Sequence, residues 1–179
     1  KALDIVHRDI KPENILRDTA GQYFLCDFGL AKQMKSTADR CSTDCGSPPF
    51  VAPEILEKGC SGRGASGKWS YDGYASDVWS LLVVTFTMSF GTFPFEGGNG
   101  DPVGVHANHC KWRSNRAVSE ADMVARIRRV PGISPTDPLG PVGRDLVSAF
   151  ETDPKQRVQI KEVHDRVREL QGMLRRAAQ

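Results

Sequence analysis

Short apolar runs split by turn-forming residues fill the first thirty positions, and helix-like apolar patterns take over beyond residue 50. Asp4–Val6 leads into a polar loop that opens at His7. Ile15-Leu16 and Tyr23–Cys26 predict two strands, joined across the turn-forming tetrad Asp18-Thr19-Ala20-Gly21. From Lys32 to Ser47 the chain is polar and without a period, which predicts a mobile loop. Pro53 suits the first position of a helix, with Glu54-Ile55-Leu56-Glu57 behind it. Ser76–Phe90 is apolar nearly all round and predicts a buried helix. Ser119-Glu120-Ala121-Asp122 has the form of a capping box for an amphipathic helix reaching Val130. Two more helices are expected over Pro141–Thr152 and Ile160–Leu174, the last with Val163, Val167, Leu170 and Leu174 as its apolar stripe. Gly/Ser-rich Cys60–Gly67 and the stretch Gly97–Arg116 predict flexible surface insertions. The sum is a mainly α (α+β) domain in which a small β-hairpin carries the polar motifs.

Composition narrows the class without naming it. With 179 residues, 39% hydrophobic and 26% charged, the chain is long enough for one domain with a sizeable core. A net charge of +2, with no basic stripe interleaved with aromatics, argues against a nucleic-acid partner. Val78–Phe90 is the most apolar stretch, too short to span a membrane and broken by Ser80, Thr85, Thr87 and Ser89. Five irregularly spaced cysteines and no secretory signal point to reduced thiols in a cytoplasmic or nuclear setting. Cys41, Cys45, Cys60, His106, His109 and Cys110 do not follow a zinc-finger spacing. Lys1 in place of a methionine leads us to expect a piece of a longer chain.

The chemistry concentrates in three motifs. His7-Arg8-Asp9-Ile10-Lys11-Pro12-Glu13-Asn14 precedes the first strand, Asp27-Phe28-Gly29 follows the second, and Ala52-Pro53-Glu54 closes the polar segment beyond. Two acids, an amide and a lysine thus lie on two short loops joined by a strand pair, a set suited to a metal-bound phosphate. Asn14 and Asp27 offer oxygen ligands of the kind a hard ion such as Mg2+ takes. Gly29 permits a sharp turn after Phe28. Each motif alone is weak evidence, but their order and separation together are not.

On those residues the chain resembles the C-terminal lobe of a eukaryotic-type serine/threonine protein kinase. The resemblance implies a helical bundle plus hairpin, with a catalytic loop at 7–14 and an activation segment at 27–54. Insertions fall at about 60–70 and 97–116, and a C-terminal helix at about 160–174. It implies that Asp9 accepts the substrate hydroxyl proton and that Lys11 meets the charge on the transferred phosphoryl group. Lys11, Glu13, Asn14, Leu16 and Asp27 would face ATP, with Leu16 as floor of the adenine pocket, and Asn14 and Asp27 would hold Mg2+. Ser47 would hydrogen-bond near Asp9 and Lys11 and shape the pocket for the residue after a Ser/Thr acceptor in a protein substrate. His7 and Phe28 would stack in an apolar spine, Asp77 would hold the catalytic loop, and Glu54 with Arg157 would form a buried ion pair. Thr43, with Ser42 as second choice, falls where an upstream kinase places an activating phosphate, and Arg8, with Lys32, would bind it. Cys45-Gly46-Ser47-Pro48 and Tyr71-Asp72-Gly73-Tyr74 lean toward the calmodulin-dependent and energy-sensing groups.

Two departures stand out. The glycine-rich phosphate loop, the strand lysine, its glutamate partner and the adenine-binding hinge do not occur in these residues. We therefore expect little activity from this polypeptide by itself, and a non-catalytic scaffold or binding module is the rival reading. Leu82 stands where such kinases commonly have glycine, and overpacking of that sort costs about 1–3 kcal/mol.

Overall fold

The computed structural model describes residues 4–36, 38–56, 69–94, 149–151 and 153–165. Its backbone is built around one long helix. Strand β1 (Ile5–Val6) pairs antiparallel with β4 (Lys32–Gln33), and β2 (Ile15–Arg17) pairs antiparallel with β3 (Tyr23–Leu25). The second pair is a hairpin in the register Ile15 opposite Leu25, Leu16 opposite Phe24 and Arg17 opposite Tyr23. Its turn closes where the Asp18 carboxylate accepts from Gln22 N–H at 2.8 Å. A short helix, α1 (Pro53–Leu56), precedes the long helix α2 (Gly73–Phe90).

Helix α2 begins three residues before the apolar pattern does. Asp72 is the reason, because its carboxylate accepts from the N–H groups of Tyr74 (3.0 Å) and Ala75 (3.2 Å) and caps the first turn. At the other end Gly91 adopts φ 67°, a left-handed conformation open to glycine at little cost, and its N–H closes on the Thr87 carbonyl at 2.9 Å. The helix is not covered on every side, since Thr85, Met88 and Ser89 are exposed. The core gathers on its other faces. Trp79 meets Phe150 edge-on with ring centroids 5.4 Å apart, and Phe86 packs on Phe90 at 4.8 Å. Leu82 lies buried within this core. No described helix is long and apolar enough to cross a membrane.

The segment from Lys32 to Ser47 departs from its expected looseness. Lys32–Gln33 forms β4, Met34 and Cys41 are buried, and Cys41 makes an isolated antiparallel bridge to Tyr71. Asp39 folds the intervening turn, accepting from Lys35 N–H and Arg40 N–H. The apolar residues that tether this stretch are single and unevenly spaced, so no period betrays them.

A buried ion pair closes the far side. Arg157 grips Glu54 bidentately at 2.9 and 3.0 Å, donates to the carbonyls of Glu151 (2.9 Å) and Ala75 (2.7 Å), and stacks on Trp79 at 5.0 Å. Of the expected helix over Ile160–Leu174, residues 160–165 are helical with Val163 packed against the core, and the remainder lies outside the described residues. Residues 149–151 are not helical, the rest of the stretch expected from Pro141 being undescribed apart from these. The Ser119–Val130 helix and the insertion at 97–116 also lie outside the described residues. Of the 60–70 insertion only Trp69 and Ser70 are described, and Trp69 packs on Tyr71.

Candidate active site

The polar loop between β1 and β2 is held in place from outside itself. Asp77, on the second turn of α2, accepts from the N–H groups of His7 (2.6 Å) and Arg8 (2.8 Å). Arg8 takes a left-handed φ of 67°, uncommon for any residue with a side chain and held here by that restraint, and its Nε donates to the Leu30 carbonyl at 2.6 Å. Burial pushes the Asp77 carboxyl up above its usual range, and the N–H groups of His7 and Arg8 with the Arg8 charge only partly offset it. The buried His7 ring bridges the loops. Its Nδ1 accepts from Asp9 N–H at 3.3 Å while Nε2 faces the Cys26 carbonyl at 2.9 Å. Both bonds form together only in the neutral ring protonated on Nε2, because a carbonyl accepts and an amide donates. The His7 ring meets Phe28 edge-on, 4.9 Å between centroids.

Asp9 sits at the centre of the polar contacts. One carboxylate oxygen lies 2.8 Å from Lys11 Nζ, and the other accepts from Ser47 N–H at 2.8 Å. Lys11 Nζ also donates to Ser47 Oγ at 2.8 Å, closing a triangle between the loop after β1 and the polar segment. Burial pushes the Asp9 carboxyl up, but the bonds from Lys11 and Ser47 and the lysine charge outweigh it, leaving the group below its usual range. Its bond to Asp9 raises the Lys11 ammonium, burial opposes, and charges on Asp9, Glu13 and Asp27 add to the rise. Gly46 lets the polar segment reach this point. It adopts φ +113°, and a β-carbon there would lie 2.8 Å from the Arg8 carbonyl oxygen.

Asn14 is buried and donates from Nδ2 to the Asp9 carbonyl at 2.8 Å, so its amide oxygen is the end left for a cation. Its own carbonyl accepts from Cys26 N–H at 2.9 Å, which brings the start of β2 beside the end of β3. Asp27 follows at once in a left-handed turn (φ 60°) and accepts from Gly29 N–H at 3.2 Å. It is exposed, as is Glu13. One amide oxygen and one carboxylate suit Mg2+, which takes few protein ligands and fills its shell with water and phosphate oxygens.

The structure therefore brings Asp9, Lys11, Asn14 and Ser47 into direct contact, with Asp27 beside them. Leu16 is exposed on the hairpin, in company with Phe24 and Phe28. Arg8, Lys32 and Thr43 are not joined. Arg8 Nε is engaged by Leu30, Lys32 donates to the Arg40 carbonyl and lies 3.5 Å from Asp39, and Thr43 is held through its backbone. Thr43 and Ser42 are both exposed. Sequence reasoning passed over two contributors: Cys26, whose backbone receives His7, and Tyr71, whose phenol reaches the Thr43 carbonyl. The Cys26 role belongs to main-chain atoms, which residue type does not advertise.

Comparison with known proteins agrees with this geometry. Residues 2–167 match the family model described as protein kinase domain, and the chain belongs to that family, whose members named below are serine/threonine kinases. It is 34% identical over 164 residues to the probable serine/threonine-protein kinase KCC4 of Saccharomyces cerevisiae, covering 90% of this chain and 13% of that protein. It is 39% identical over 132 residues to serine/threonine-protein kinase SIK2 of Gallus gallus (74% of this chain, 15% of that one). Over 91 residues it is 43% identical to CBL-interacting serine/threonine-protein kinase 24 of Arabidopsis thaliana (51% and 18%). The chain thus spans less than a fifth of the length of each of these three relatives.

Proposed function

We propose that this chain is the C-terminal lobe of an ATP-dependent kinase that phosphorylates serine and threonine in protein substrates. The observation that carries the reading is the triangle of Asp9, Lys11 and Ser47 at 2.8 Å. Asp9 takes the proton of the acceptor hydroxyl, its carboxylate kept ionised and aimed by Lys11 and Ser47. Lys11 is the cation nearest that proton transfer and offsets charge on the phosphoryl group. Asn14 and Asp27 would hold Mg2+, which when bound would neutralise charge on the phosphate tail. Ser47, fixed to both catalytic side chains, forms the wall against which the residue following the acceptor rests. Leu16 and Phe28 belong to an exposed apolar surface on the hairpin side, where a second lobe would cover the nucleotide. These 179 residues contain neither a glycine-rich phosphate loop nor the strand lysine, so on their own they position ATP poorly and transfer phosphate slowly.

Regulation follows from the exposed Thr43. An upstream kinase would add a phosphate there, and Arg8 would exchange part of its present bonding for the phosphate oxygens. The decisive assay is transfer from labelled ATP to a Ser/Thr peptide by the full-length parent chain. Asp9→Asn is expected to lower kcat at least about 100-fold with the fold unchanged; an Asp9→Asn enzyme as active as the parent refutes the reading. In the same assay Thr43→Ala is expected to lower activity and remove a mapped phosphate, and full activity with no phosphate at Ser42 or Thr43 refutes the regulatory part.

A further inference from the structure

Helix α2 touches both walls of the site. Asp77 holds the catalytic loop, and just ahead of the Asp72 cap Tyr71 holds the opposite wall. Its backbone exchanges two hydrogen bonds with Cys41, Cys41 N–H to the Tyr71 carbonyl at 2.9 Å and Tyr71 N–H to the Cys41 carbonyl at 2.8 Å. Its ring is 3% exposed and lies against Trp69, 5.1 Å between centroids. From there the phenol donates to the Thr43 carbonyl at 3.2 Å and meets Cys45 Sγ at 4.0 Å. A buried hydroxyl needs such a partner, and the partner chosen is the backbone of the activation segment.

We propose that Tyr71 is a positioning residue whose phenol fastens residues 43–45 to α2 and thereby sets Ser47 N–H on the Asp9 carboxylate. The spacing supplies the reason. Between the grip on Thr43 and Cys45 and the next fixed point at Ser47 lies only Gly46, pressed on the Arg8 carbonyl with no room for a side chain. Without the phenol the nearest tether is the Cys41 bridge, and the free span up to Ser47 grows accordingly. Ser47 would then spend less time bonded to Asp9 and Lys11, and the wall facing the substrate peptide would loosen. Burial, with the thiols of Cys45 and Cys41 beside it, pushes the phenol's ionisation far up, so the hydroxyl keeps its proton and remains a donor. The catalytic consequence rests on the kinase reading above; the structural link does not.

Tyr71→Phe removes the hydroxyl and keeps both the ring and the Cys41 bridge. Amide hydrogen exchange in the full-length chain is expected to quicken about five-fold at Ser47, the worth of one ordinary hydrogen bond. The His7 amide, held by Asp77, should not change. In the active enzyme KM for the acceptor peptide should rise by a similar factor while KM for ATP stays the same. Unchanged exchange at Ser47 overturns the assignment, and so does equal acceleration at His7, which would make Tyr71 a support of the whole fold. An acceptor KM that does not move overturns it too. A parent chain with no transfer activity would instead count against the kinase reading, and the exchange rates would still decide the role of Tyr71.

Discussion

A single carboxylate shows how the site balances opposing effects. Burial alone would push Asp9 toward its neutral form, yet Lys11 and Ser47 reverse the sign. Its folded value lies below the unfolded one, which is near about 4. The bonding therefore supports the fold fully above that pH and is withdrawn as pH falls through the lower folded value. Replacing Lys11 by Met removes the largest stabilising partner and leaves the burial. Carboxyl-carbon NMR titration is expected to show Asp9 titrating at higher pH in Lys11→Met than in the parent. A titration that stays put would mean the 2.8 Å contact contributes nothing in solution.

At the scale of elements, α2 does more than fill the core. Asp72 caps its N-terminus, and Asp77 in its N-terminal half holds the N–H groups of His7 and Arg8. Arg8 stays in a left-handed conformation because that carboxylate restrains it. Asp77→Ala strands both N–H groups in a partly buried place and is expected to cost about 1–3 kcal/mol for each that finds no new partner. Chemical denaturation would measure the loss, and faster exchange at the His7 and Arg8 amides would locate it. Ser80, one turn further along, donates to the Phe50 carbonyl at 2.8 Å and ties the end of the segment before α1 to the same helix. One element thus aligns two loops that the chain keeps far apart.

At the scale of the molecule, Arg157 reaches Glu54 from 103 positions away. The guanidinium is fully buried and satisfied by carbonyls, a bidentate carboxylate and the Trp79 ring. Taking one partner from a buried pair costs far more than the pair itself contributes, about 3–5 kcal/mol. Glu54→Ala is expected to destabilise by that amount in a denaturant titration, while a change below about 1 kcal/mol would show the pair to be solvated like a surface bridge. Because the pair joins α1 at the end of the activation segment to the C-terminal part of the domain, its loss should also loosen Ala52 and Phe50 beside it.

The residues along the chain determined the family, the hairpin and the polar set of Asp9, Lys11, Asn14 and Asp27, because those signals are local: fixed spacings, turn formers, a run of apolar residues. Helix α2 was legible to within three residues, and the shortfall came from Asp72, whose capping bond the apolar period does not register. Legibility failed between Lys32 and Ser47, where Met34, Cys41 and Tyr71 create order through contacts scattered in sequence. The sequence put Ser47 near Asp9 and Lys11, but only the tertiary structure decided that its N–H makes the bond, across 38 positions, and that Tyr71 grips the Thr43 carbonyl. Such bonds use main-chain atoms, which every residue carries, so their partners are chosen by how the chain packs and not by the letters that spell it.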